Sequence, residues 1–294
     1  MTEKRSDLWP TISVILAAAM WGLFWIPVRS VEAAGIDPVW SGILIFASGT
    51  VVLLPMVLVR WRIMLRHSKH FFWAGLFSGF TFALYTISIN LTDVVRVLLL
   101  FYLTPLWSTL LGIVVLGERL TLNRVLALVL AATGLCIVLG IDYRFPLPEN
   151  LGDWLALISG FTWSIASVKL FQGSADYVIE KAFLFVFFGF VFSVALALLP
   201  LGIESVQPSL ELIADAKIPI AILAIMMLPL AFLTIWPCTL LSPARVGMLY
   251  MLDVVVGVVS AALLTDEVFG AREMIGTILI LSAGVVEVMR SSAK

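Results

Sequence analysis

The chain has 294 residues, 62% hydrophobic and 13% charged, with a net charge of −1 and a mean hydropathy of +1.11. About a quarter of the residues of a soluble domain are charged, so this composition describes a membrane protein. The 18 Lys and Arg are scattered, which argues against a nucleic-acid partner, whose phosphates require clustered cations.

A bilayer core of ~30 Å needs about 20 apolar residues per helix. Ten such runs are expected, at 11–30, 39–59, 71–91, 95–116, 124–141, 152–171, 182–201, 218–240, 244–265 and 271–290. The short polar start and the following run are read as retained: Ala17-Ala18-Ala19 superficially suits a signal-peptidase site, but cleavage would delete a helix whose counterpart recurs later. Connections are short, so no soluble module is inserted. With the N-terminus cytoplasmic, that side holds most of the Lys and Arg, including Lys4, Arg5, Arg60, Arg62, Arg66, Lys69, Arg119, Arg124, Lys181 and Arg245. The cell inner (plasma) membrane is the expected location, with both termini cytoplasmic. Cys136 and Cys238 lie inside apolar runs, are expected to be buried, and make neither a disulfide framework nor a metal-binding pattern.

The segment Arg96 to Glu118 can be laid on Arg245 to Glu267 at a constant offset of 149, pairing Arg96 with Arg245, Leu100 with Leu249, Leu103 with Leu252 and Glu118 with Glu267. Ala19-Met20-Trp21-Gly22 is echoed by Phe161-Thr162-Trp163-Ser164. The chain therefore reads as a duplication, with repeats at 1–145 and 146–294. Five helices per repeat is an odd number, so the second copy enters the membrane from the opposite side. The expected fold is all-α integral membrane, with ten transmembrane helices as two inverted five-helix repeats. Such repeats place a shared site near the midplane and let two similar conformations open it to either side.

The Trp-Gly in the first helix, Pro105, the Gly117-Glu118-Arg119-Leu120 turn, and the glycines Gly134, Gly276 and Gly284 resemble the EamA-type repeat of the drug/metabolite transporter superfamily. The resemblance implies a ten-helix secondary carrier that exports amino acids or other small metabolites. Arg119 is matched by Val268 and Pro105 by Val254, so the second half departs further from the family pattern.

Asp253, about eight residues beyond Arg245, falls near the middle of its run at ~1.5 Å per residue. Its counterpart in the first copy is Thr104, so only one half carries the acid. A charged residue at that depth costs about 2.5–3.5 kcal/mol on insertion scales and usually faces an internal cavity. It is read as a ligand for a substrate ammonium group or as a proton carrier, the alternative being a packing hydrogen bond. Tyr250, Gly257 and Ser260 share its helix face. Trp21 lies too deep for an interfacial anchor, Trp25 shares its helix face and Trp163 is its counterpart in the second copy; such a Trp can cap an apolar group or hold a cation, the alternative being core packing. Tyr85, Tyr102 and Trp236 complete the expected cavity wall. Ser78, Thr81, Tyr85, Ser88 and Thr92 form a hydroxyl stripe that is either a hydrated wall or interhelical bonding. Pro105 is the expected hinge. Arg96 and Arg245, at helix starts on opposite faces, are candidate mouth charges, with snorkelling as the alternative. Glu118 and Glu267 read as caps of the following helices.

The expected function is a secondary transporter, in the exporting direction, of a small metabolite such as an amino acid or amine, by alternating access, with proton coupling open. Nothing resembles a phosphate-binding Gly loop, and no cofactor or metal is expected. Partners are the small-molecule substrate and the lipid bilayer, and a homodimer is compatible with the sequence. An intramembrane enzyme would require converging groups such as HExxH or paired acids; His67 and His70 share one loop and Asp253 stands alone. That reading and a non-transporting assembly protein are the alternatives.

Overall fold

A computed structural model describes residues 7–139, 147–202, 205–264 and 270–292, all helix and connecting turns, without a strand among the described residues. The first apolar run is two collinear pieces, Leu8–Leu23 (α1) and Trp25–Ala33 (α2), followed by Pro38–Val59 (α3). Asp37 starts α3 by accepting a 2.9 Å hydrogen bond from the Val39 amide, with Pro38 in the first turn where it lacks no needed donor. A short helix, Trp61–His67 (α4), leads to Phe72–Ile89 (α5). The next run is again split, into Val94–Phe101 (α6) and Thr104–Leu116 (α7), and ends at Gly117. Gly117 takes φ 67°, the left-handed C-terminal position that glycine adopts without a Cβ penalty. Leu122–Leu139 (α8) closes the first half.

The second half runs Leu151–Gln172 (α9), Val178–Ala197 (α10), a short Leu210–Asp215 (α11), and Lys217–Cys238 (α12). A split pair follows, Pro243–Tyr250 (α13) and Leu252–Leu264 (α14), and then Ala271–Ser292 (α15). Nine helices or helix pairs among the described residues are long and apolar enough to cross a membrane. The protein is thus an all-α, multi-pass membrane protein. The tenth expected crossing is α15, which carries Arg272, Glu273 and Glu287 and packs along α8. The expected repeat boundary at 145/146 and Glu267 lie outside the described residues.

The main packing contacts can be set beside the pairing of runs that the sequence offset suggests. Pair α1–α2 with α9, α3 with α10, α5 with α12, α6–α7 with α13–α14, and α8 with α15. Then α5 on α9 matches α12 on α1, α5 on α10 matches α12 on α3, and α6–α7 on α9 matches α13–α14 on α1. The contacts of α3 with α10, of α7 with α13 and of α8 with α15 join corresponding runs of the two halves.

Two glycines let a helix approach the backbone of a split one. A Cβ at Gly22 would stand 2.5 Å from the Asp253 carbonyl oxygen, and one at Gly160 would stand 2.5 Å from the Phe101 carbonyl oxygen and 3.0 Å from Thr104 Oγ1. Each glycine lets a long helix touch the backbone of a split one, α1 on α14 and α9 on α6.

The seventh run begins about four residues earlier than expected, because Glu180 and Lys181 are inside the fold and fully buried. Glu180 accepts a 2.7 Å hydrogen bond from Arg60 Nε, and the Lys181 ammonium donates to the Ser174 carbonyl. Lys181 is therefore a packed residue and not a loop charge. The cysteine expectation is also corrected in part: Cys238 is buried, but Cys136 faces outward from α8.

Candidate functional site

The three splits, at Phe24, at Tyr102–Leu103 and at Met251, come together around one cavity of about 320 Å³. Its wall runs from Glu32, Pro38 and Asn90, at the end of the bundle marked by the Gly35 turn, inward to Thr234, Tyr250 and Asp253. Trp21, Trp25, Tyr85, Tyr102 and Trp163 line it as well. Pockets of this size, mostly apolar with a few polar groups, are the usual form of small-molecule sites.

Asp253 is the second residue of α14, directly after the split at Met251. It faces the cavity, and its Oδ1 is buried with no hydrogen-bond partner. The Tyr102 hydroxyl lies within hydrogen-bonding reach of the carboxyl from the matching split of the first half. Thr104, the counterpart of Asp253, is instead satisfied locally: its Oγ1 donates to the Phe101 carbonyl at 2.5 Å, and its own carbonyl accepts from Ser164 Oγ at 3.2 Å.

The aromatic residues are tied in place. Trp21 Nε1 donates to Thr234 Oγ1 at 3.1 Å, and Trp25 Nε1 donates to Ser260 Oγ at 3.0 Å. Trp21 stacks on Phe82 at 4.9 Å between ring centroids, while Phe82 and Tyr250 meet Trp163 edge-on at 5.5 and 6.1 Å. The Tyr250 hydroxyl donates to the Thr234 carbonyl at 3.3 Å, which holds α13 against α12. Indole and phenol groups held by their polar tips present their ring surfaces to the cavity.

Trp236 is not on the wall. Thr234 is, and two residues along an α-helix is about 200° around it, so α12 turns Trp236 away from the cavity. The hydroxyl stripe of α5 is also not a hydrated wall. Ser78, Thr81 and Ser88 are fully buried and bond to backbone carbonyls of their own helix, Thr81 also to Thr162, and only Tyr85 reaches the cavity. Glu32, Asn90, Phe82 and Phe101 line the cavity without having been singled out in the sequence. Their signal was weak: an acid near a helix end and an amide off the stripe look like ordinary interface residues.

The two arginines expected at the mouths are engaged with protein acids. Arg96 grips Asp153 with three contacts of 2.5 to 3.2 Å, and Asp153 is fully buried. Arg245 bonds Asp7 at 3.0 Å and Thr11 at 2.7 Å. Each pair ties the split helix of one half to the first helix of the other. Neither guanidinium faces the cavity, so a substrate-greeting role at this site is corrected to a clamp between halves. Pro105 sits in the first turn of α7, where proline is tolerated, and the break falls just before it at Tyr102–Leu103. Glu118 bonds Arg124, which also contacts Glu287 at 3.4 Å, instead of capping α8.

At the opposite end, marked by Asp7, lies a second and charged cavity of about 280 Å³, lined by Asp7, Glu118, Arg119, Arg124, Arg245 and Glu287 among others. The two cavities share no lining residue. Helix α13 separates them, with Arg245 on the charged side and Gly247 and Tyr250 on the aromatic side.

Split helices converging on an internal chamber within a bundle of spanning helices define a multi-pass membrane protein built around a small-molecule site. The model of the EamA-like transporter family matches residues 8–140, so the first part of the chain is similar to that family, which is consistent with the drug/metabolite transporter superfamily. A solved structure, a crystal structure of a protein, shares the fold with a TM-score of 0.71 over 97% of this chain and 100% of its own, at 19% identity. The likeness therefore extends through the second half. No curated protein matches the sequence.

Proposed function

We propose that the protein is a secondary transporter that carries a small amphiphilic metabolite across the cell inner (plasma) membrane by alternating access, in the exporting direction. The observation that carries this reading is the pairing of one deep aromatic chamber, reached from the Gly35 end, with a seal of α13 and ion pairs at the Asp7 end. A site walled at one end and approached from the other is what a carrier caught in one of its two states requires. With both termini cytoplasmic, the Gly35 end faces outward and the Asp7 end inward. The matched packing of the two halves supports an inverted repeat, in which the second state is the same arrangement with the halves exchanged.

Asp253, Tyr250, Tyr102, Tyr85, Trp21, Trp25 and Trp163 form the binding site on this reading. Asp253 receives the substrate or carries a proton in exchange for it. Opening the Asp7 end requires α13 to move, and the Arg245 pairing with Asp7 and Thr11 is the contact that would be released. Counterflow in reconstituted vesicles tests the reading: uptake of a labelled amine or amino acid that depends on Asp253 supports it, and no flux for any member of a broad metabolite panel refutes it.

A further inference from the structure

The charge inventory of the aromatic chamber sets what it accepts. Among the described lining residues the ionisable acids are Asp253, at the deep end, and Glu32, at the Gly35 end; there is no Lys, Arg or His. Arg96 is bound to Asp153, and Arg29, whose guanidinium lies 5.3 Å from the Trp25 ring centroid and within electrostatic reach of Glu32, does not itself line the chamber. Along the wall, indole and phenol faces with fixed orientations offer their negative ring surfaces. A cation loses its hydration shell on entering such a chamber and regains contact with a carboxylate and ring faces. A carboxylate loses its shell and meets no positive group, so its entry is disfavoured.

We propose that the chamber selects an organic monocation without a carboxylate, an arylalkylamine or similar amine, whose nitrogen sits at the Asp253 carboxylate and whose apolar body lies against Trp21, Phe82 and Trp163. This rests on the transport reading for its purpose and narrows it from amino acids and amines to amines. Asp253 lines the deep end of the chamber, and its Oδ1, which has no accessible surface of its own, has no hydrogen-bond partner, so the carboxylate is not neutralised by a protein cation. The Asn90 amide donates one of its two hydrogens to the Thr86 carbonyl at 2.9 Å, and being uncharged it does not stand in for a cationic group. Glu32 lies where an arriving cation first meets negative charge.

The test uses three compounds that share a phenyl ring and a short chain: phenethylamine, phenylalanine and phenylpropionate. Binding to the purified full-length protein is read as thermal stabilisation against ligand concentration. Phenethylamine is expected to stabilise at a concentration at least about tenfold below phenylalanine, a difference of ~1.4 kcal/mol, and phenylpropionate is expected to have no effect. Asp253→Asn should raise the phenethylamine requirement by at least about tenfold while its unliganded melting and size-exclusion profile stay those of the parent. Glu32→Gln, at the mouth, should raise it by a smaller factor, and this second variant decides the question if Asp253→Asn does not fold. Equal or better binding of phenylalanine overturns the proposal, as does an unchanged phenethylamine response in both variants or no response to the amine at millimolar concentration. Vesicle flux separates this from the transport reading. Amine binding without flux refutes transport and leaves the site assignment, whereas phenylalanine flux without amine preference does the reverse.

Discussion

Substituting Gly22 by Ala asks whether the crossing of α1 and α14 holds Asp253 in position. The added methyl would stand 2.5 Å from the Asp253 carbonyl oxygen and 2.7 Å from Val256 Cβ, where ordinary contact begins at 3.4 Å. The shortfall is about 0.9 Å, and neither neighbour is the free end of a flexible side chain, so the helices must part. Overpacking of this kind costs about 1–3 kcal/mol. The better helix propensity of Ala offsets up to about 1 kcal/mol of that. The net loss of stability is expected at ~0–2 kcal/mol, but the loss of function should be larger. A misplacement of about 1 Å can lower a rate ~100-fold where positioning is tight, and the atom being pushed belongs to Asp253 itself.

Gly257→Ala is the control on the other side of the same crossing. Its Cβ would meet only the Gly22 carbonyl oxygen, at 3.5 Å, which is ordinary contact. That variant should be neutral or more stable by up to about 1 kcal/mol, with phenethylamine binding unchanged. Thermal unfolding of both variants in one detergent, each titrated with phenethylamine, reads the difference. If Gly22→Ala melts and binds like the parent, or if Gly257→Ala is equally damaging, the crossing does not set the position of the acid.

Three further outcomes follow from the side-chain networks. Asp153→Asn removes the charge that holds Arg96, Thr92 and the Glu149 amide together; since Arg96 is 24% exposed and can recover water, the expected cost is about 2–4 kcal/mol in thermal unfolding, below the full range for a broken buried pair. Arg124→Gln strands Glu118 and Glu287 around a site where the arginine is 3% exposed, and should cost ~3–5 kcal/mol, with Arg124→Lys recovering only part because an ammonium lacks the planar fork. Thr234→Val keeps shape but removes the acceptor of Trp21 Nε1, with an expected loss of about 1 kcal/mol in stability and a measurable change in phenethylamine affinity as the ring is released.

The spanning runs were legible because each is bounded by polar residues and turn formers, and hydropathy needs nothing else. It failed where charges lie inside: Glu180 and Lys181 look like loop residues until Arg60 and the Ser174 carbonyl arrive from other elements to satisfy them. Helix phase was the other obstacle. Trp236 is as prominent in sequence as Trp163, but on a helix as uniformly apolar as α12 no polar stripe reveals which side faces inward, and the modest Thr234 turned out to hold the inner position. The duplication pointed to Arg96 and Arg245 as equivalent, which their placement respects. Their partners are harder to read, because at the offset of 142 that pairs Trp21 with Trp163 the fully buried acid Asp153 answers the hydroxyl of Thr11, and Asp7 answers Glu149. Asn90 and Glu32 were passed over for the same reason in reverse: their importance comes from the cavity between helices, which no single helix encodes.

The difference between Thr104 and Asp253 makes the duplicated frame useful. In the first half the split is closed on itself, with Thr104, Ser108, Ser164 and the Gly160 carbonyl bonded to one another across α7 and α9. The polar group this split turns to the chamber is the Tyr102 hydroxyl, within hydrogen-bonding reach of Asp253. The corresponding place in the second half has an acid in place of the hydroxyl, and Gly22, which the sequence pairs with Ser164, offers no hydroxyl to satisfy it. One copy of the split therefore serves packing and the other is left with an unmet hydrogen-bond acceptor inside an aromatic chamber. A carrier needs that inequality, because two self-satisfied splits would seal the bundle, and two acids facing each other at this depth would repel and draw in counter-charges of their own.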